Sequence, residues 1–342
     1  MRILFVSDTH LGLDLPARPR VERPRRGEDF FRNLELALAP ALAGEVDAVV
    51  HGGDLHYRSR VPAWLAEAAL APLRRVAARG VPVLLVPGNH ERSRLPYPLL
   101  ALHERLHVFH APRTIHLEAR GLRVAFAGFP YAPGVRDRFP SLLAAARRDE
   151  RSADAGVLCV HQCVEGATCG PGEFTFRDGD DVIRRADLPS DVAVVLAGHV
   201  HRHQVLRHAR APPVVYAGSV ERTSFAEAGE PKGAVVVELA ADRPPAIAFR
   251  PLPTRPMVVR RLALAGLDGA AARAELERAL RATPGDAVVR LRLDGPVDAR
   301  LEPLLAAASL RALAGGRTVS IGRPSAGAPR SAPRAEALRA RS

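Results

Sequence analysis

Apolar positions in the first two thirds of the chain gather into short unbroken runs: Ile3–Val6, Ala48–Val50, Val81–Val86, Val124–Ala127, Gly156–Val160, Val192–Leu196, Val214–Tyr216 and Ala234–Leu239. Runs this short, without the one-in-two alternation of a half-exposed strand, predict strands buried on both faces. Longer amphipathic stretches, including Glu28–Ala43 and Pro62–Arg79, separate the early runs and read as helices. Strand and helix in alternation predict an α/β architecture up to about residue 250.

A cluster of prolines, Pro251, Pro253 and Pro256, then punctuates the chain, and a new β-α-β-α-β rhythm begins. Its expected elements are Met257–Leu264, Ala270–Ala282, Ala287–Leu293, Ala299–Ala314 and Thr318–Ile321. The expected organisation is therefore a large domain over 1–252, a small α/β domain over 253–322, and a tail over 323–342. The tail is rich in Pro, Ala, Ser and Arg without periodicity, the composition of a disordered basic segment.

Composition changes this picture little. With 47% hydrophobic and 25% charged residues in 342, the chain is ordinary for a folded protein of two domains. No apolar run is long enough for a signal-peptide core or a membrane span, which predicts a cytoplasmic protein with no membrane partner. Cys159, Cys163 and Cys169 match no standard zinc spacing and are expected to be reduced thiols. The net charge of +12 comes almost wholly from arginine, Lys232 being the sole lysine. That charge makes nucleic acid an electrostatically reasonable partner, although an Arg- and Ala-biased genome would produce the same excess.

The candidate chemistry sits where the runs end. Ile3–Val6 leads to Asp8 and His10, the second run to Asp54, the third to Asn89 and His90, the fifth to His161, and the sixth to His199 and His201. Binding sites of α/β proteins lie at the carboxyl ends of strands, so these scattered residues are expected to converge. A mixed set of histidine, carboxylate and amide oxygen suits Mn(II), Fe(II) or Zn(II), with Mn(II) the expectation here. A shared carboxylate, for which Asp54 is the candidate, lets two divalent cations sit close enough to clamp both oxygens of a phosphoryl displacement. The adjoining Gly52, Gly53, Gly88 and Gly198 permit close backbone approach. Any one of these histidines alone would be read as a core or surface residue; the set of strand-end placements is what points to a site.

The ordered pattern Asp-x-His, Gly-Asp, Gly-Asn-His, His and Gly-His-x-His, running from Asp8 to His201, resembles that of the calcineurin-like metallophosphoesterases. The resemblance implies a four-layer α/β/β/α sandwich over roughly residues 1–250. It also implies a first metal on Asp8, His10, Asp54 and His201, a second on Asp54, Asn89, His161 and His199, and His90 as general acid. Softer features are similar to those of the SbcD-type DNA repair exonucleases. These are Ala-Gly-Phe-Pro-Tyr at 127–131, His-Gln-Cys-Val-Glu-Gly at 161–166, Tyr-Ala-Gly-Ser-Val-Glu-Arg at 216–222 and the appended small domain. That likeness implies a DNA exonuclease and single-strand endonuclease with a capping domain and an SbcC-type ATPase partner. A second copy of the chain is a further candidate partner. The competing reading keeps the chemistry and substitutes a cyclic nucleotide, small diester or phosphoprotein. A non-catalytic scaffold with this fold is the third reading, disfavoured by the full set of expected ligands.

Two features depart from the family pattern. Relatives often place a histidine three residues after the bridging Asp, where this chain has Tyr57, with His56 one position earlier. No clear amphipathic helix pair follows Ile321. Among the remaining residues, His51 reads as a core histidine ahead of a supporting role, His203 and His208 as solvated loop residues, and the Arg18–Arg26 run as either a phosphate-holding or a merely solvated loop.

Overall fold

In the computed structural model, residues 1–15, 26–92, 95, 102–148 and 151–322 are described. The expected basic tail and most of the Arg18–Arg26 run lie outside them. Two compact units form, one ending at Thr254 and the other beginning at Arg255.

The first unit runs β1 (Arg2–Val6), α1 (Gly27–Leu42), β2 (Ala48–His51), α2 (Ala63–Ala78), β3 (Val83–Leu85), β4 (Leu106–Val108), β5 (Arg113–Ala119), β6 (Leu122–Gly128), α3 (Val135–Ala146) and β7 (Ala155–His161). Four short strands follow, β8 (Cys163–Val164), β9 (Thr168–Cys169), β10 (Phe174–Thr175) and β11 (Val182–Ile183). Then come β12 (Val194–Gly198), β13 (Gln204–His208), β14 (Ala211–Tyr216), β15 (Gly233–Glu238) and β16 (Ala246–Pro251). Two six-stranded sheets result, ordered β16-β15-β1-β2-β3-β4 and β13-β14-β12-β7-β6-β5. The strands β1 to β4 are mutually parallel, as are β6, β7, β12 and β14.

Side-chain alternation along the central strands decides the layering. Ile3, Phe5, Val50 and Leu84 of one sheet meet Phe126, Val157, Cys159, Val194 and Leu196 of the other. Their neighbours Leu4, Val6, Val49 and Val83 face the opposite way, onto Leu34, Leu38, Leu70 and Leu73 of α1 and α2. Leu158, Val160 and Val195 pack likewise on Val135 and Phe139 of α3. The layers are therefore α/β/β/α, and strands buried on both faces are why the sequence shows unbroken apolar runs.

Each buried-type run forms a strand, with ends displaced by up to three residues. Among the strands that sequence pattern did not reveal, β5 and β16 are edge strands with alternating, largely exposed faces. The β5–β6 hairpin turns on Arg120 and Gly121, both at positive φ, the two-residue turn whose twist matches its strands.

The second unit is a three-stranded parallel sheet, β17 (Met257–Ala263), β18 (Val288–Asp294) and β19 (Thr318–Gly322), with α4 (Gly269–Arg281), α5 (Glu302–Leu305) and α6 (Ala307–Ala314). It has its own core, which includes Leu262, Leu276, Leu280, Val289, Leu291 and Leu310. The single helix expected over Ala299–Ala314 is broken: Ala306 is extended, at φ −62° and ψ 148°, between α5 and α6. The Ser309 hydroxyl donates to the Pro303 carbonyl at 2.7 Å, a local side-chain bond that competes with continued helix. No helix among the described residues is long and apolar enough to cross a membrane.

Candidate metal centre

All the expected site residues follow carboxyl ends of parallel strands in the first unit: Asp8 and His10 after β1, Asp54 after β2, Asn89 and His90 after β3, His161 at the last position of β7, and His199 and His201 after β12. Turning these segments inward requires unusual backbone. Asp8, His10, Asp54 and His199 have φ of 52°, 43°, 50° and 85°, a left-handed region costing on the order of 1 kcal/mol or more per residue. Backbone bonds between the loops offset that strain, with the Asp8 N–H donating to Gly53 O at 3.0 Å and the His10 N–H to Asp54 O at 2.9 Å. Two glycines make the approach sterically feasible. A Cβ on Gly198 would lie 2.1 Å from Gly52 O, and one on Gly88 would lie 2.2 Å from Asp54 Oδ1.

Among the described residues, three groups place ligand atoms within 4.8 Å of one another: Asp8 with His10 and His201, His10 with Asp54 and His90, and Asp54 with His161 and His199. Asp54 belongs to two of them. His10 Nε2 lies 2.9 Å from His201 Nε2 and 3.9 Å from Asp54 Oδ2. On the other side His161 Nε2 is 3.4 Å from Asp54 Oδ1, and Asn89 Oδ1 sits 3.1 Å from His161 Nε2 and 3.0 Å from His199 Nδ1. His90 stands apart from the second cluster, its Nε2 3.8 Å from Asp54 Oδ2 and its Nδ1–H donating to the Tyr57 carbonyl at 2.5 Å.

The electrostatics follow from burial and mutual proximity. Burial lifts the Asp8 carboxyl above its ordinary range, opposed by His161 and His201. Burial pushes in the same direction at Asp54, but His161, His10 and His90 overcome it and hold that carboxyl well below normal. His161 is driven down by burial and further up by Asp54 and Asp8, reaching about 9. His10 and His199 are depressed, chiefly by burial and then by neighbouring histidines, His199 to about 3.

These residues fit a pair of divalent cations. His161 Nδ1–H donates to the Gly52 carbonyl at 2.7 Å, which turns Nε2 toward two oxygens that are themselves acceptors, Asp54 Oδ1 and Asn89 Oδ1. Nitrogen and oxygen donor atoms gathered around one point in a buried setting, where a cation can take the place of the Nε2 proton, are the donor chemistry of a cation site.

Asn89 and His90 lie in a turn, closed by the Arg92 N–H donating to Asn89 O at 3.1 Å, and their side chains reach different partners. His203 is likewise no solvated loop residue, since its ring stacks on Phe249 at 4.0 Å and its Nδ1–H donates to the Tyr216 carbonyl. Arg26 of the arginine-rich run is buried, donating to the Arg222 carbonyl at 2.6 Å, which occupies one of its phosphate-binding donors. His51 is buried and depressed to about 3, mainly by desolvation. Its Nδ1 accepts the Gly53 N–H, and its Nε2–H reaches Thr9 Oγ1, so it braces the Asp54 loop.

Several supporting residues escaped the sequence reading. Glu91 is buried and accepts the backbone N–H groups of Gly88 and His56, both at 2.9 Å, tying the β3 loop to the β2 loop. Glu227 accepts from His201 Nδ1 at 3.2 Å and pairs with Lys232 at 2.7 Å. Tyr131 places its ring 5.9 Å from His199 and 6.3 Å from His161. Lys232 left a signal in its uniqueness in composition, and Tyr131 in closing the Ala-Gly-Phe-Pro-Tyr stretch at 127–131.

A phosphoesterase fold carrying a histidine–carboxylate cluster at its strand ends defines the class, and the family of calcineurin-like phosphoesterases matches residues 1–203: the chain belongs to that family. Within it the chain is 34% identical over 271 residues to the DNA double-strand break repair protein Mre11 of Haloferax volcanii, covering 78% of this chain and 56% of that one. It is 31% identical over 309 residues to the Halobacterium salinarum protein of the same name, covering 87% and 71%. With a subunit of the nuclease SbcCD of Bacillus subtilis it shares 28% identity over 265 residues, covering 70% and 66%. The chain thus spans little more than half the length of the first of these relatives.

Proposed function

We propose that this chain is a two-metal phosphodiesterase acting on DNA, a 3′-to-5′ exonuclease and single-strand endonuclease of double-strand break repair, working with Mn(II) in the cytoplasm. The observation that carries the reading is the position of Asp54, whose two carboxylate oxygens face different histidine groups. Similarity to relatives named for DNA break repair supports the substrate class. An SbcC-type ATPase and a second copy of the chain are proposed partners on family likeness alone, as is a capping role for the domain over 253–322.

In this reading Asp8, His10, Asp54 and His201 hold one cation and Asp54, Asn89, His161 and His199 the other. Bound there, a pair of divalent cations activates water and neutralises charge on the scissile phosphate. The chain's own residues supply orientation and a proton. His161 is held by its bond to Gly52 O so that Nε2 points to the cluster. His90 is held by its Nδ1–H bond to Tyr57 O, and in its doubly protonated form Nε2 faces the site and hands its proton to the departing oxygen, leaving the neutral ring. Because a backbone carbonyl makes this contact, the side chain at position 57, where relatives often have histidine, is not what fixes His90.

The test is product analysis of end-labelled duplex DNA with Mn(II), run beside a small diester. Shortening from the 3′ end, abolished by chelation, is expected. Hydrolysis of the small diester with intact DNA would replace this reading with that of a small-diester phosphodiesterase, and undiminished activity in excess chelator would reject metal catalysis.

A further inference from the structure

Lysine is the exception in this protein, at one position against arginine throughout, yet Lys232 is buried in the first unit behind the proposed metal cluster. Its Nζ donates to three acceptors: Glu227 Oε2 at 2.7 Å, Glu230 Oε2 at 3.0 Å and the backbone carbonyl of His201 at 2.8 Å. Glu227 in turn directs its other oxygen, Oε1, to His201 Nδ1 at 3.2 Å, and the Thr223 hydroxyl donates to that same oxygen. Arg202 Nε closes the far end on Glu230 Oε1 at 3.1 Å. Two cations therefore balance two carboxylates in a buried, connected network, the condition under which buried charge is tolerated.

We propose that Lys232 and Glu227 are positioning residues for the first metal, acting through His201; the inference rests on the two-metal reading above. Lys232 grips His201 twice, directly at its backbone carbonyl and indirectly through Glu227 at its ring. With Nδ1–H donated to Glu227 Oε1, the ring is left with Nε2 as its free ligand atom, aimed at His10 Nε2 at 2.9 Å and Asp8 Oδ1 at 4.0 Å. A carboxylate orienting the far nitrogen of a ligating imidazole is a recurrent device for fixing ring orientation and raising ligand basicity. The geometry also accounts for lysine at this one position. Three acceptors converge on a single donor atom, which an ammonium with three rotatable N–H groups satisfies and a planar guanidinium fork does not.

The nature of the network distinguishes this role from plain packing. Arg202, besides binding Glu230, donates to the Gly170 carbonyl at 2.7 Å, so loss of the lysine would disturb the β9 region as well as His201. A packing role alone would lower thermal stability and leave metal affinity at each site unchanged. A positioning role predicts a selective effect on one site.

The experiment is titration of the full chain with Mn(II), free ion being followed by electron paramagnetic resonance, for the wild type, Lys232→Met and Glu227→Gln. Removing such an outer partner typically weakens a metal about 10- to 100-fold. The wild type is expected to show two sites, and each variant one site weakened by that factor with the other unchanged; raising Mn(II) should then restore turnover. Should Lys232→Met fail to fold, Glu227→Gln, which preserves side-chain shape, carries the test. Folded variants that bind both ions as the wild type does, or weaken both equally, would overturn the proposal. A wild type that binds no Mn(II) at either site would instead overturn the two-metal reading, which separates the two failures.

Discussion

His90 differs from the buried His10 and His161 in being a third exposed, and it shares no ligand group with His161 or His199. A proton donor needs access to substrate, and a ring outside both proposed ligand sets keeps its Nε2 for the proton. His90→Gln is accordingly expected to retain both metals and DNA binding while slowing DNA cleavage by roughly a hundred- to ten-thousand-fold, the usual contribution of a general acid. A nitrophenyl diester, whose leaving group departs without a proton, should be affected far less; loss of a metal, or equal slowing of both substrates, would contradict the role. At this scale the sequence was legible wherever a residue's place follows from a strand end, as for Asp8, Asp54, His161 and His199. It was not legible for Glu91, Glu227 or Lys232, whose positions depend on contacts between loops far apart in the chain.

The loops after β1, β2, β3 and β12 cross one another so closely that backbone takes the space a side chain would need. Gly198→Ala would set its Cβ against the immovable Gly52 carbonyl and near Ser7 Oγ, at 2.1 and 2.6 Å. Relief requires shifting the β12 loop, and overpacking of this kind typically costs about 1–3 kcal/mol. The expected outcome is a lower melting temperature together with weaker metal binding, through displaced His199 and His201. A melting curve and Mn(II) affinity identical to wild type would show that these loops have slack. Buried parallel strands were readable because both faces are apolar, whereas β5 and β16 carry polar residues on an exposed face and gave no comparable run. The broken α5–α6 segment was misread as one helix because Ala-rich sequence has high helix propensity, and the Ser309–Pro303 bond that competes with it is a single local contact.

At the scale of the molecule, the proposed chemistry belongs wholly to the unit ending at Thr254, which has apolar cores of its own. A chain truncated after Thr254 is therefore expected to fold and to hydrolyse a small diester, with DNA cleavage reduced more than small-diester cleavage. Parallel loss of both activities in a folded truncation would reject that division. With a net charge of +12, DNA affinity should fall with salt, log affinity declining by about 0.9 for each tenfold rise in salt per phosphate contacted; affinity independent of salt would remove the arginines from recognition.

The central claim, two metals sharing Asp54, is tested most directly by counting bound manganese. After loading with Mn(II) and desalting, metal per chain would be measured for the wild type, His10→Ala and Asp54→Ala. Two ions in the wild type, loss of chiefly one in His10→Ala and loss of both in Asp54→Ala are the predicted result. Equal losses in the two variants, or a single ion in the wild type, would contradict it.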